Sequence, residues 1–442
     1  MSGLNRALSL TQATAINVID MVGIGPFIAL SFVMSAMGGV QCMLAWLLGA
    51  LLSFMDGFTW SALGAAHPEA GGTYAFNQQL YKRFGIGRLM AFLFLWQTTI
   101  QAPLVIASGA IGFSKYFQYL IPLDGIWQRL TSGALVIVVV AMLFRKVTTV
   151  GNISILLSIL VFGLMSWLII SGLLYTQPLV QVEQLSSLFD INWNYDFLKN
   201  LNTASLKTIY CFLGYYNVCH LGSEIRQPQK NIPRSIFISI VIITMLYLLM
   251  QWSVLRVVGF EEAAKNEFVI SLFFERIYNP TVAAFATCCI LLVAFASLFA
   301  VVLGYSRIPY AAAAQGNYFR IFAKLHPRLN FPHYSLLILG AVAFCFSLLN
   351  RMGDIISAIV VVRILIQFVS QAAGLLYNRA ADGKSSIYKM LFFPIPSIIS
   401  ISIWLYIFTF SEWKFILGAF SIIISGLVLY YIFINQNKNQ GV

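Results

Sequence analysis

The chain has 442 residues, of which 60% are hydrophobic and only 10% are charged. Soluble domains carry roughly 25% charged residues, so this composition excludes an ordinary water-soluble protein and indicates one whose solvent is lipid. The formal net charge of +12 does not indicate a nucleic-acid partner, because the cations are spread over many short loops rather than one face. Control of topology and contact with anionic membrane lipid explain it better.

Apolar windows of about 20 residues, the length that crosses a bilayer core, occur about twelve times along the chain. The predicted spans, in chain order, are residues 12–34, 40–64, 89–114, 131–146, 150–174, 204–223, 235–258, 281–304, 334–350, 354–378, 389–410 and 413–434. No soluble domain interrupts them. The sequence therefore predicts an all-α integral membrane protein with about 12 transmembrane helices in one domain covering residues 1–442; one span more or fewer stays open.

The basic and acidic residues fall on alternating sides of these spans. Arg226, Lys230 and Arg234 lie in one predicted loop, whereas Glu261 and Glu262 lie in the next. Because cytoplasmic loops collect Lys and Arg, both termini are predicted to be cytoplasmic, in the cell membrane. The segment before the first span lacks a small-residue cleavage site and is expected to remain attached.

The first span contains the stretch DMVGIGPFIAL, residues 20–30, which should interrupt its own helix. Pro26 lacks an N–H and clashes with the preceding turn, and Gly23 and Gly25 weaken the same turn. Unwound backbone is tolerated in a membrane only where it lines a cavity. Its free N–H groups, those of Ile24, Gly25 and Phe27, would then form a site for a carboxylate at the start of the second half-helix.

A second interruption is predicted in the sixth span, because broken helices of transporters come in corresponding pairs. Gly214 stands there inside an apolar run, beside Phe212, Tyr215, Tyr216 and Asn217. These side chains would supply aromatic walls and polar groups at mid-membrane depth. Ordinary aromatic core packing is the alternative. Close helix packing is also the expected role of Gly163 in the fifth span.

Four motifs in order resemble the signatures of the amino acid–polyamine–organocation transporter superfamily. They are GIGPF at 23–27, HPEAGGTYAF at 67–76, FLGYYNVCHLGSEIRQPQKNIPRSI at 212–236 and YSRIPYAAAAQGNYFRIFAKLHPRLNFP at 305–332. The resemblance covers nearly the whole chain. It implies the leucine-transporter fold: two inverted five-helix repeats, 12–174 and 204–378, followed by two further spans in 389–434, with the first and sixth spans broken.

The resemblance also implies where substrate binds, at the membrane midplane between the two breaks. The carboxylate would lie on the first-span break and the α-amino group on sixth-span carbonyls, with Phe212 closing over the substrate from outside. The residues implied are Val22, Gly23, Ile24, Gly25, Pro26, Tyr210, Cys211, Phe212 and Gly214. Three further site residues are predicted, Phe27 through its backbone N–H and Tyr215 and Asn217 through their polar side chains. Gln101 is predicted to edge the cavity, with a hydrogen bond between helices as the alternative.

The sequence departs from the family pattern at positions that bear on coupling. Tyr216 stands where many members carry a sixth-span Glu, and Ala62 replaces another common Glu. No Lys lies between Lys146 and Lys199, so the fifth-span Lys that some members use in place of sodium is missing. Coupling through such a Lys is therefore not expected.

Four charged residues are candidates for coupling or gating. Asp20, Asp56 and Arg363 lie within predicted spans, where an ionised side chain costs at least ~2.5–3.5 kcal/mol, so these residues are expected to have a role. Asp20 or Asp56 would exchange a proton or anchor a cationic group; the alternative is a structural ion pair with Arg363. Glu69, after the second span, would pair with loop cations as a gate.

Together these features predict a secondary transporter that moves an amino acid, with a neutral one favoured, by alternating access. A polyamine or cationic amino acid carrier and a sodium-coupled carrier, with Ser297 as a possible ion ligand, are the alternatives. A coupled proton or an exchanged amino acid is the expected second partner. The six cysteines show no metal spacing and the histidines form no cluster, so no metal site, cofactor or intramembrane enzyme is predicted.

Overall fold

The computed structural model describes residues 4–180, 188, 190–348, 353–383 and 386–439. Within these residues the chain is helical, and β pairing is limited to two isolated bridges, Leu8 with Ile225 and Ala70 with Leu221. The all-α fold predicted from the composition is therefore confirmed.

Every predicted span contains at least one helix. The helices of the first five spans and their connections are α1 (Leu10–Met21), α2 (Gly25–Met37), α3 (Met43–Ala66), α4 (Thr73–Leu80), α5 (Gly87–Phe117), α6 (Ile126–Leu143) and α7 (Val147–Leu173). The next group is α8 (Tyr195–Phe212), α9 (Asn217–His220), α10 (Pro228–Val257), α11 (Phe260–Ala263), α12 (Val269–Ile277), α13 (Pro280–Tyr305) and α14 (Arg307–Ala314). The last are α15 (His333–Ser347), α16 (Gly353–Arg363), α17 (Ser370–Asp382), α18 (Ile395–Thr409) and α19 (Trp413–Asn439).

Length and apolar composition identify these helices as membrane spans. In the described part of the chain 8 helices pass that test, or up to 9 if the bent pair α1 and α2 is one span. Two further apolar helices, α15 and α18, are shorter. The protein is a multi-pass membrane protein; the count of about twelve, the inverted repeat and the cytoplasmic location of the termini stay predictions.

The first predicted break is present. Helix α1 ends at Met21, α2 begins at Gly25, and the two are bent by 43°. Pro26 occupies the first turn of α2, where its missing N–H removes no helical bond and its fixed φ suits a helix start. The glycine and proline chemistry of the sequence therefore interrupts the span where it was predicted to.

The second predicted break is also present, between the end of α8 at Phe212 and the start of α9 at Asn217. Gly214 has a φ of +124°, a conformation that suits glycine and few other residues. A Cβ at this position would lie 2.9 Å from Cγ of Asp20. The absence of a side chain at Gly214 thus lets the two interrupted spans meet directly.

Neighbouring helices hold the two interrupted spans in the middle of the bundle. Helix α1 packs against α7, α10 and α13, while α2 and α3 both pack against α8. A third irregularity, a π-helical turn at Ile364–Val369, directly follows Arg363 between α16 and α17, and such turns are frequent at functional sites. By contrast, nothing in the described structure lies within 4 Å of a Cβ built at Gly163, so the close helix contact predicted there is wrong.

Candidate substrate-binding site

A cavity of about 60 Å³ lies where the two breaks meet. Its lining comes from seven different helices and the breaks between them, as expected for a site at the centre of a bundle. The lining residues are Asp20, Met21, Gly23, Ile24, Gly25, Val105, Gly109, Tyr210, Cys211, Leu213, Gly214, Tyr216, Asn217, His220, Ala294, Ser297, Leu298, Val301, Tyr305, Ile359 and Arg363.

The first-span break leaves free backbone N–H groups at the start of α2, beside this cavity. Among the described residues, the N–H groups of Ile24, Gly25 and Phe27 donate to no backbone carbonyl; the first such bond of α2 runs from Ile28 to Ile24 at 3.3 Å. These are the three donors predicted from the sequence. They lie at the positive end of α2, which attracts a negatively charged group.

Glycine lets the first-span backbone come close to its neighbours. A Cβ at Gly25 would lie 3.1 Å from Cε1 of Tyr210, and one at Gly23 would lie 2.5 Å from Oγ of Ser297. The Tyr210 hydroxyl is itself hydrogen-bonded to the Ser108 hydroxyl at 2.9 Å. Helices α8 and α13 therefore close on the break from two directions, with no room for larger residues.

Two buried polar side chains hold the breaks in shape. Asn17 of α1 donates to the Tyr215 carbonyl at 2.7 Å and accepts from the Val218 N–H at 3.0 Å, so it spans the sixth-span break. The Tyr247 hydroxyl of α10 lies 2.7 Å from the Met21 carbonyl oxygen and 3.1 Å from that of Cys211. Orphan backbone groups at both breaks thus gain the partners that lipid cannot supply.

Asp20 lies at the edge of the first break, half-buried and in the cavity lining. Its backbone carbonyl accepts a hydrogen bond of 3.2 Å from the Ser297 hydroxyl. Asn217, also in the lining, is oriented by a hydrogen bond of 2.9 Å to the Ala300 carbonyl. An acidic group and an amide therefore border the cavity beside the sixth-span break.

Arg363 is the cation of the cavity lining and is 1% exposed. Its Nε donates to Oε1 of Gln367 at 2.8 Å, and its Nη2 donates to the Tyr216 hydroxyl. The guanidinium lies 5.4 Å from the centre of the Tyr216 ring and 5.3 Å from that of Phe368. The structural ion pair considered from the sequence is not formed, because no ion pair joins Arg363 to Asp20 or Asp56 among the described residues.

Asp56 does not line the cavity. It is fully buried in α3, and its Oδ2 accepts hydrogen bonds from the Tyr215 hydroxyl at 2.5 Å and from Nε1 of Trp60 at 2.8 Å. Asp56 and Tyr215 together brace the sixth-span break from behind.

The structure divides the predicted site residues into two groups. Those that line the cavity are Asp20, Gly23, Ile24, Gly25, Tyr210, Cys211, Gly214, Asn217 and Arg363. Those outside the lining are Val22, Pro26, Phe27, Tyr215, Phe212, Gln101, Asp56 and Glu69. Phe212, the implied lid, packs against Trp46 and Tyr247 instead. Gln101 lies behind the lining and donates to the Tyr305 hydroxyl at 3.2 Å.

Glu69 is exposed, and no ion pair involves it in the described ranges. The buried ion pair nearby joins Oε1 of Glu224 to Nη2 of Arg307 at 3.0 Å, with side chains 1% and 3% exposed. Here the N–H groups of Ala7 and Leu8 also donate to the Glu224 carbonyl, each at 2.9 Å. We call this region, where residues 7–8 meet residues 224–226, the inner end of the bundle.

Several lining residues were missed by the sequence reasoning. Tyr216 was noted among the aromatic residues beside Gly214 and as a departure from a family acid but was not included in the predicted site, and His220 was set aside because it belonged to no cluster. His220 is 2% exposed, lines the cavity and makes no hydrogen bond of standard geometry through its ring to a described residue. A buried histidine within a predicted broken span was the signal available.

With this geometry in place, comparison with known proteins identifies the family. Residues 8–441 match the amino acid permease family. The chain belongs to that family. The superfamily resemblance seen in the motifs is therefore confirmed, and the permease is a transporter rather than an enzyme.

Similar proteins carry different solutes. The serine/threonine exchanger SteT of Bacillus subtilis (strain 168) is 25% identical to this permease over 422 residues, covering 91% of this chain and 90% of its own. The methylthioribose transporter of the same organism is 22% identical over 424 residues, covering 91% and 88%. Human cationic amino acid transporter 4 is 22% identical over 407 residues, covering 86% and 59%. Family membership therefore leaves the substrate of this permease open.

Proposed function

We propose that this permease is a secondary active transporter of small neutral amino acids, working by alternating access around the two helix breaks. The observation that carries the proposal is the cavity itself, which is lined both by residues with free N–H groups at the start of α2 and by the interrupted backbone of the sixth span. The first group of atoms suits a carboxylate and the second an ammonium group. An amino acid in its zwitterionic form presents both.

The size and charge of the cavity support a small substrate without net charge. The cavity volume of about 60 Å³ favours a small substrate over an amino acid with a long or bulky side chain. The lining contains one acid, Asp20, and one guanidinium, Arg363. Asp20 would favour a cationic amino acid or a polyamine, but Arg363 in the same lining opposes it.

Uptake by the full-length protein in liposomes tests the proposal. We expect accumulation of labelled alanine or serine, and its loss in Gly25→Val, because a Cβ there is already 3.1 Å from the Tyr210 ring. Gly163→Val is the matched control, since that site is open within 4 Å. Normal uptake by a well-expressed Gly25→Val variant would contradict the carboxylate site.

We further propose that Asp20 carries the coupled proton, with exchange of a second amino acid or coupling to sodium as the competing arrangements. Asp20 is the acidic side chain of the cavity lining, half-buried beside the unwound backbone. Uptake by Asp20→Asn from pH 5 to 8, and by the parent chain with choline replacing sodium, separates them. An unchanged pH profile in Asp20→Asn removes Asp20 from the coupling role.

Gating is proposed to involve the inner end. The Glu224–Arg307 pair is buried there and would have to separate when the cavity opens on that side. From the distribution of basic residues we propose that this side faces the cytoplasm of the cell and that both termini lie inside. Glu69 would contribute to a gate only through a partner gained in another conformation.

A further inference from the structure

One wall of the cavity carries hydrogen-bonding capacity that the proposed backbone contacts do not use. It is formed by Arg363, Tyr216 and His220, which all line the cavity. The Tyr216 ring joins the other two: its hydroxyl accepts from Arg363, and its ring lies 5.9 Å from that of His220, at 90°. We call these three residues the polar wall.

Arg363 has donors to spare. A guanidinium has five N–H groups, and the hydrogen bonds of Arg363 to Gln367 and Tyr216 use Nε and Nη2. Within the described part of the chain, Nη1 has no hydrogen-bond acceptor. Leaving a buried charged donor unfilled is expensive, so an acceptor brought by the ligand would gain more here than in water.

His220 adds a second group of the opposite kind. A neutral imidazole carries one donor and one acceptor nitrogen, and neither makes a hydrogen bond of standard geometry among the described residues, although the side chain is 2% exposed. A ligand hydroxyl in this part of the cavity can accept from Arg363 or bond to a ring nitrogen of His220. A methyl group in the same place would leave both unsatisfied.

We infer that the polar wall is the side-chain subsite of the permease and selects a short side chain that ends in a hydroxyl, as in serine and threonine. This inference rests on the proposed function, which assigns the carboxylate and ammonium groups to the two breaks and leaves only the side chain to meet the wall. The small cavity limits the length of that side chain. Arg363 accordingly acts as a specificity residue.

Isosteric amino acids give the test. Threonine and valine have nearly the same shape, as do serine and alanine apart from the added oxygen. A hydrogen bond to a charged group contributes about 1.5–3 kcal/mol, so purified wild-type protein should bind threonine at least about tenfold more tightly than valine. Ligand-dependent thermal stabilisation and competition against labelled serine uptake both report this ratio.

Variants of the wall should weaken the discrimination. In Arg363→Met the threonine-to-valine ratio is expected to fall to within about twofold, and His220→Phe should reduce the ratio in the same direction. Arg276→Met is the matched control, because Arg276 pairs with Glu262 at 2.6 Å and is not among the residues that line the cavity. Its ratio should equal that of the parent.

The outcomes separate this inference from the proposed function. If no amino acid stabilises the wild-type protein or is taken up, the proposed function fails. If amino acids bind but threonine and valine bind equally, or if folded Arg363→Met and His220→Phe variants discriminate as the parent does, the polar wall is not the side-chain subsite. Tightest binding by aspartate would equally overturn the choice of a neutral hydroxyl.

Discussion

The contact between Gly23 and Ser297 permits the sharpest test of how the first break is packed. In Gly23→Ala the new Cβ would lie 2.5 Å from Oγ and 2.8 Å from Cβ of Ser297, below the 3.0 Å limit that real Cβ atoms respect. Helix α13 and the break must therefore move apart by several tenths of an ångström. The hydrogen bond of 3.2 Å from Ser297 to the Asp20 carbonyl would be displaced with them.

Overpacking of this kind costs about 1–3 kcal/mol. If the strain is taken up by the shape of the cavity, substrate affinity should fall by about 5- to 150-fold, at about 1.4 kcal/mol for each factor of ten. If the strain is taken up by the fold, the thermal stability of the purified protein should fall instead. Ligand-binding isotherms and thermal unfolding of the same preparation distinguish the two.

Removing the side chain of Ser297 should relieve the clash in Gly23→Ala. Ser297→Gly removes both atoms that clash, at the expense of a hydrogen bond worth about 0.5–1.5 kcal/mol. The Gly23→Ala/Ser297→Gly double variant should then resemble Ser297→Gly alone, which corresponds to a coupling energy of about 1–3 kcal/mol. Gly163→Ala, in open space, is the control and should be neutral or slightly stabilising.

Two results would refute this reasoning. Gly23→Ala with parental affinity and stability would mean that the break relaxes freely around a methyl group. A double variant as impaired as the sum of its single changes would mean that the two residues do not contact each other as described.

Two other contacts give further predictions. Arg307→Met leaves Glu224 buried without its partner, so it should lower the free energy of unfolding by about 3–5 kcal/mol. The double variant Glu224→Gln/Arg307→Met should recover much of that loss. Thermal unfolding of the single and double variants checks this, and equal losses in both would contradict it. At Asp56, Asn can keep an oxygen for the Trp60 and Tyr215 donors, whereas Leu strands both. Asp56→Leu should therefore lower the free energy of unfolding by about 1–3 kcal/mol for each donor left without an acceptor. Asp56→Asn should keep uptake with the pH profile of the parent; a changed pH profile would instead give Asp56 a coupling role.

The first break could be predicted from the sequence because its cause is local. Pro26 and its two neighbouring glycines act on their own turn, and the three free N–H groups follow from helix geometry alone. Local chemistry of this type does not depend on what packs around it. The sixth-span break at Gly214, where φ is positive, was predicted on other grounds, from the pairing of broken helices in transporters and from the family resemblance.

The direction in which each side chain points was harder to predict, because successive residues of a helix are rotated by about 100° around its axis, with 3.6 residues in a turn. Phe212 and Tyr210 both belong to α8, yet Tyr210 lines the cavity and Phe212 packs behind it. The partner of Arg363 was equally inaccessible: charge alone suggested Asp20 or Asp56, whereas the fold supplies Tyr216 and Gln367. Such pairings depend on tertiary contacts between distant segments, which no single stretch of sequence contains.

The backbone bonds at the inner end have a mechanical consequence. The N–H groups of Ala7 and Leu8 donate to the Glu224 carbonyl, and the Arg226 N–H donates to the Leu8 carbonyl at 2.9 Å. Backbone hydrogen bonds therefore join the segment before the first span to the segment after the sixth. Tension applied to one of these segments is transmitted to the other without passing through any side chain. Helix α1 and the end of the sixth span from α9 to Arg226 should therefore move together in any conformational change. A bulky fusion placed close to Leu8 should hinder the movement of both.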